Sequence, residues 1–249
     1  MNQPAIIAID GPAASGKSSI GYAFANALNF LFFDTGIMYR AVTWAVLQQG
    51  IDPMNQGAVG ELAELLEVDI MPPARAETDG RQATLLVAGQ DVTWEIRTPQ
   101  VDQNVSAVAA NPQVRNELSV KQRQIATYYG SGEAEKPGIV MVGRDIGTVI
   151  VPDAPIKIYM EATAAVRAQR RHAELVARGK QADLAQIEAD IIRRDRKDSQ
   201  REIAPMRPAA DAQIVDTSDM SPEEVLEALL EITEAAGLLT KKSFKTSVN

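Results

Sequence analysis

At 249 residues, 45% of them hydrophobic and 23% charged, the chain has ordinary globular composition and enough length for one large domain or two small ones. It contains no cysteine, which excludes disulfides, thiolate zinc ligands and cysteine nucleophiles. A formal net charge of -8 speaks against broad nucleic-acid binding, so an anionic substrate must meet a local basic pocket.

Residues 5–9 (AIIAI) form an unbroken apolar run that stops at Asp10-Gly11, the pattern of a strand buried on both faces of a parallel sheet. After the loop that starts at Gly11, Lys17 opens a stretch with Ile20, Phe24, Ala27 and Leu28 at helical spacing. Further apolar runs at 30–33, 139–142, 156–160 and 212–215, separated by helical patterns, predict an α/β fold with a five-stranded parallel sheet flanked by helices. Between 67 and 95, the turn residues Pro72-Pro73, Asp79-Gly80 and Gly89 interrupt short β-like runs and predict a small antiparallel insert. Ser221-Pro222-Glu223-Glu224 offers an N-cap, a first-turn proline and a capping-box glutamate ahead of Val225, Leu226, Leu229 and Leu230, which predicts a last helix. The basic stretch 240–249 has no periodicity and is expected to be disordered. No run approaches the ~20 apolar residues of a membrane span, and the start MNQPAIIAIDG lacks a basic flank and a long apolar core, so a cytoplasmic protein with no membrane or nucleic-acid partner is expected.

Gly11-Pro12-Ala13-Ala14-Ser15-Gly16-Lys17-Ser18 fits G-x-x-x-x-G-K-[ST] in the strand-loop-helix setting that this pattern requires. Glycines at 11 and 16 let backbone N–H groups turn inward on a phosphate, and the helix beginning near Lys17 adds its positive end. Lys17 can then span the β and γ phosphates while Ser18 ligates Mg2+. With Ser19, the loop is expected to bind ATP or GTP. A phosphate loop is shared by GTPases, motor and transport ATPases and small-molecule kinases. The chain has no N-K-x-D and no D-x-x-G, which counts against a guanine-nucleotide switch.

The string Asp34-Thr35-Gly36-Ile37-Met38-Tyr39-Arg40 resembles the acceptor-nucleotide motif of the cytidylate kinase family. Gly143-Arg144-Asp145-Ile146-Gly147-Thr148 resembles the family's G-R-D-I-G-T segment, and Arg194-x3-Asp198-x2-Arg201 with Ala204-Pro205 resembles its lid. With the phosphate loop these motifs stand in the family's order, and the similarity spans roughly residues 5–235. The resemblance implies a P-loop kinase of one domain, residues 1–239. Its core would cover about 1–40, 105–165 and 204–239, its β acceptor-binding insert about 41–104, and its helical lid about 166–203. It also implies Mg2+-assisted phosphoryl transfer from ATP to CMP or dCMP by a monomer. Lys17, Arg144 and Arg194 would be catalytic, and Arg170 would join residues 11–19 on ATP. Asp34, Thr35, Gly36, Arg40, Ser106, Arg115, Arg144, Asp145, Arg194, Asp198 and Arg201 would surround CMP, with Asp145, Ser106 and Arg115 on the cytosine ring.

As bare residues these positions leave alternatives open. Arg40 is expected near the C-terminal end of a sheet strand, where a guanidinium can grip an acceptor phosphate, but it also falls in a helical pattern with Val42 and Val46 and reads equally as a surface arginine, while Ser106 and Arg115 read as solvated helix or loop residues. Arg194, Asp198 and Arg201, spaced by four and three on a helix face, read as ordinary ion pairs. Arg167, Arg170 and Arg171 cluster on a helix near the sole histidine, His172, which reads as solvated, so no histidine catalysis is expected. One departure stands out: the family pattern has an acidic residue directly before Gly-Arg-Asp, and this chain has Val142. An acid there would help hold water around Mg2+, so Asp34 or Asp10 is expected to take its place, with Asp34 favoured. The rival readings are a kinase of UMP, AMP or shikimate, and a nucleotide-dependent switch protein.

Overall fold

The computed structural model describes residues 5–71, 73–74, 77, 79–177 and 179–238, so the expectation for 240–249 lies outside the described residues. The chain opens with β1 (Ile6–Asp10), α1 (Lys17–Leu28), β2 (Leu31–Asp34), α2 (Gly36–Gln48) and α3 (Gln56–Leu65). Three short strands follow, β3 (Val68–Met71), β4 (Thr84–Val87) and β5 (Gln90–Asp91), then α4 (Pro99–Val108) and α5 (Pro112–Gly130). The remainder is β6 (Ile139–Val142), β7 (Ile156–Glu161), α6 (Ala164–Ala177), α7 (Leu184–Ser199), β8 (Gln213–Asp216) and α8 (Pro222–Ala235). Two compact units result, residues 1–34 with 123–249 and residues 35–122.

The first unit holds a five-stranded sheet in the order β2-β6-β1-β7-β8, every pair parallel. Its central strands are near-continuous apolar runs because helices cover both faces of such a sheet, and all four residues of β6 are buried. Ile20, Phe24 and Leu28 of α1 meet Val225 and Leu229 of α8 in one core cluster with Ile7, Ile9 and Val140. Helix α1 lies close on the sheet at Gly21, where a Cβ would meet Cγ1 of Val142 at 2.8 Å. The predicted capping box is present, with Ser221 accepting from Glu224 N–H and the Glu224 carboxylate accepting from Ser221 N–H. Helices α6 and α7 pack on one another within this unit.

The second unit has the predicted antiparallel insert as a three-stranded sheet in the order β3-β4-β5. Helix α2 buries Ile37, Met38, Val42 and Val46 and packs on α4. This unit spans residues 35–122, with α2 and α4 packed together in it. Among the described residues no helix is long and apolar enough to cross a membrane.

Candidate active site

The glycine-bearing loop after β1 passes close to β7 because Gly11 has no side chain. Its φ is 147°, and a Cβ there would come within 2.0 Å of the Met160 carbonyl oxygen on β7. The loop also holds Ala14 (φ 59°) and Gly16 (φ 89°) in left-handed backbone. Helix α1 starts at Lys17 with no acidic residue in its first turn, so its positive end is not cancelled locally. Lys17 is only 6% exposed. Its Nζ donates to the Pro12 carbonyl oxygen at 2.7 Å and to Ser15 Oγ at 3.4 Å. Burial, and then the nearby positive charge of Arg144, hold its pKa well below the usual lysine value. Arg194 pushes in the same direction, while Asp34 and Asp10 oppose it. Cations from the loop, the strand end after β6 and α7 therefore act on one spot in a chain of net charge -8.

Ser18 Oγ donates to Asp34 Oδ2 at 2.7 Å. Asp34 ends β2 in register with Val142, which in turn stands opposite Ile9 of β1. Asp10 is placed differently. It is 4% exposed, and its two carboxylate oxygens accept the N–H groups of Ile146 and Gly147, each at 2.8 Å. Burial raises its pKa to about 6 in spite of those two hydrogen bonds, and Asp145 nearby adds to the rise. Asp10 thus holds the π-helical turn Ile146–Ile150 that follows Arg144 and the buried Asp145, a task that an acid after a strand does not announce in sequence.

Asp198 on α7, also 4% exposed, is the hub of the arginine cluster. Its Oδ2 accepts from Arg144 Nε at 3.3 Å and lies 3.9 Å from Arg194 Nε. Arg201 Nε donates to the Asp198 carbonyl oxygen at 3.2 Å. Arg201 does not share the helix face expected for it: α7 ends at Ser199, and Arg201 reaches back from beyond the C-cap. Arg170, expected on ATP, donates to Thr217 Oγ1 at 3.0 Å and to the Thr217 carbonyl oxygen at 2.5 Å. The arginine of that cluster that reaches the loop is Arg167, through the Ala13 carbonyl oxygen at 2.9 Å. Its partner on α7, Asp195, carries no signal in the sequence beyond its place three residues before Asp198.

In the second unit Thr35 is buried at the N-cap of α2 and Gly36 opens that helix. Arg40 lies within α2 rather than at a strand end. It donates to the Ile96 carbonyl oxygen at 2.9 Å and to Asp102 Oδ1 at 2.6 Å. Asp102 and Ser106 are four residues apart on α4, so they share a face. Arg115 is buried on α5, donating to the Ala109 carbonyl oxygen at 3.0 Å with its guanidinium 5.4 Å from the Tyr39 ring centroid.

A family model described as cytidylate kinase matches residues 7–235. A cytidylate kinase of Roseiflexus castenholzii is 47% identical over 226 residues, covering 91% of this chain and 92% of that one. One from Herpetosiphon aurantiacus is 45% identical over 230 residues, covering 92% and 94% respectively. One from Corynebacterium glutamicum is 45% identical over 231 residues, covering 93% and 95%.

Proposed function

The chain belongs to the cytidylate kinase family, and from that premise we propose that it moves the γ-phosphoryl group of ATP onto the phosphate of CMP or dCMP. The observation that carries the reading is the gathering of Arg144 and Arg194 around Asp198, close enough to Lys17 of the phosphate loop for their charge to act on it. Cations gathered in this way oppose one another, which contributes to the depressed pKa of Lys17, and a polyphosphate relieves that repulsion.

The acceptor phosphate oxygen forms the new bond to the γ-phosphorus as the bond from that phosphorus to the β-γ bridging oxygen breaks, and ADP leaves with the electron pair. The attacking oxygen already carries negative charge, so no strong general base is needed and none is assigned. Catalysis then rests on alignment and on charge stabilisation of the transferring group. Backbone N–H groups of residues 14–19 cradle the donor phosphates, because Pro12 has no N–H and that of Ala13 is held by Asp195. Lys17 must leave the Pro12 carbonyl to reach them, and Arg144 must turn from Asp198 toward phosphate. Ser18 Oγ and Asp34 Oδ2 are hard oxygen atoms already in contact, and they would hold a Mg2+, Ser18 directly and Asp34 through water. When bound, the metal would neutralise charge on the transferring phosphate.

On the acceptor we assign the phosphate to Arg40, Arg144 and Arg201 and the sugar side to Arg194 and Asp198, with Thr35 and Gly36 beside it. Asp145, Ser106 and Arg115 read cytosine, because a carboxylate accepts from the exocyclic amino group that uracil lacks. A coupled assay with ATP and, separately, CMP, dCMP, UMP, AMP and shikimate tests the proposal. Steady turnover with the cytidine nucleotides is expected; turnover with another acceptor at equal efficiency would overturn the assignment of the base.

A further inference from the structure

Helix α7 touches the phosphate loop through a side chain that the transfer itself does not use. Asp195 Oδ2 lies 2.6 Å from Nη1 of Arg167, and its Oδ1 accepts from the Ala13 N–H at 3.4 Å. The same Nη1 of Arg167 donates to the Ala13 carbonyl oxygen at 2.9 Å, while its Nε donates to the Ala162 carbonyl oxygen at 2.9 Å. Both polar groups of Ala13 are therefore held, one by an arginine of α6 and the other by a carboxylate of α7. Arg167 is 6% exposed, so solvent screens this pair far less than a surface ion pair.

Ala13 sits where support is needed. Gly11 and Ala14 on either side of its segment have φ values of 147° and 59°, and backbone in such regions persists only when its surroundings hold it. Asp195 is also followed on α7 by Asp198, which gathers Arg144 and Arg194.

We propose that Asp195 is a positioning residue of the donor site: it fixes Arg167 on the Ala13 peptide and so ties the shape of the phosphate loop to the placement of α7. This rests on the reading of the loop as the ATP seat. The consequence differs from that of a plain structural ion pair, because the loss falls on the donor nucleotide and not on the acceptor. Asp195→Asn keeps size and removes charge, and Arg167→Met removes the other half.

The experiment measures equilibrium ATP binding without acceptor, and the KM values for ATP and CMP, in the full chain and in Asp195→Asn, Arg167→Met, the double variant and Lys17→Ala. Amide exchange over residues 11–16 is followed in the wild type and Asp195→Asn. Each single variant at the pair is expected to weaken ATP by about tenfold, the scale of coupling between residues in contact, with the double variant no worse than the weaker single. KM for CMP should stay within about twofold and loop exchange should rise. Equal losses for ATP and CMP, additive losses in the double variant, or unchanged loop exchange would overturn the proposal. Lys17→Ala separates the two readings: if it binds ATP like the wild type, the ATP seat is wrong and this inference goes with it. If Lys17→Ala loses ATP while Asp195→Asn does not, only the role of Asp195 fails.

Discussion

Replacing Asp10 by asparagine tests whether this buried acid holds the turn before it could ever serve a metal. Its carboxyl has a pKa of about 6, against 3.8 in its ordinary state, with burial as the main cause. A raised value means that the folded chain holds the proton more tightly than the unfolded chain. That contribution is fully present below pH 3.8 and is lost as pH rises through about 6. The whole shift corresponds to about 3 kcal/mol. The asparagine side chain carries no such pH-dependent term, but it offers one carbonyl oxygen to two N–H donors that now have an oxygen each at 2.8 Å. One buried donor goes unpaired, at a cost of about 1–3 kcal/mol at every pH. The two effects nearly cancel at pH 7, whereas near pH 4 the variant should be the less stable protein. Urea unfolding of both proteins at several pH values between 4 and 7 reads this directly, and the difference should move toward the variant by about 2 kcal/mol as pH rises. A difference independent of pH, or one moving the other way, would refute the burial argument and return Asp10 to the candidates for metal binding.

Lys17→Ala should lower kcat by a factor on the order of a hundred or more while leaving the urea midpoint close to wild type, because its charge is aimed at the transferring phosphate; steady-state kinetics with near-normal turnover would sink the loop mechanism. Asp145→Ala should raise KM for CMP well above any change for ATP and narrow the preference for CMP over UMP by about 1–3 kcal/mol, the cost of an unpaired amino group; an unchanged preference would show that another residue reads the base. Asp34→Asn should raise the Mg2+ concentration needed for half-maximal activity by about tenfold, and Asp10→Asn should not; equal Mg2+ titrations for wild type and Asp34→Asn would leave the metal to Ser18, phosphates and water.

The strands were legible because a parallel sheet covered on both faces demands unbroken apolar runs, and 139–142 is one such run from end to end. The phosphate loop was legible because its glycines answer to backbone geometry, as the 2.0 Å approach of a Cβ at Gly11 to Met160 shows. Partners distant in sequence were not. Asp102 joins Arg40 across 62 positions and Asp195 reaches Ala13 across 182, and both pairs depend on how helices pack, which no local period encodes. A spacing of three suggests that Arg201 continues the face of α7, but the helix stops before it.

The departure at Val142 has a physical reading once the register is known. Asp34 and Val142 are paired residues of adjacent parallel strands, so their side chains leave the same face of the sheet about 4.8 Å apart. Val142 is 1% exposed, and its Cγ1 occupies the space left open by the missing side chain of Gly21 on α1. A carboxylate at 142 would be buried against that helix, where an unpaired charge is costly. At Asp34, one strand toward the edge of the sheet, the acid keeps partial access to solvent and has the Ser18 hydroxyl at 2.7 Å. The sheet end thus keeps a carboxylate beside the phosphate loop while the position under α1 serves packing, and the two requirements fall on neighbouring strands rather than on one residue.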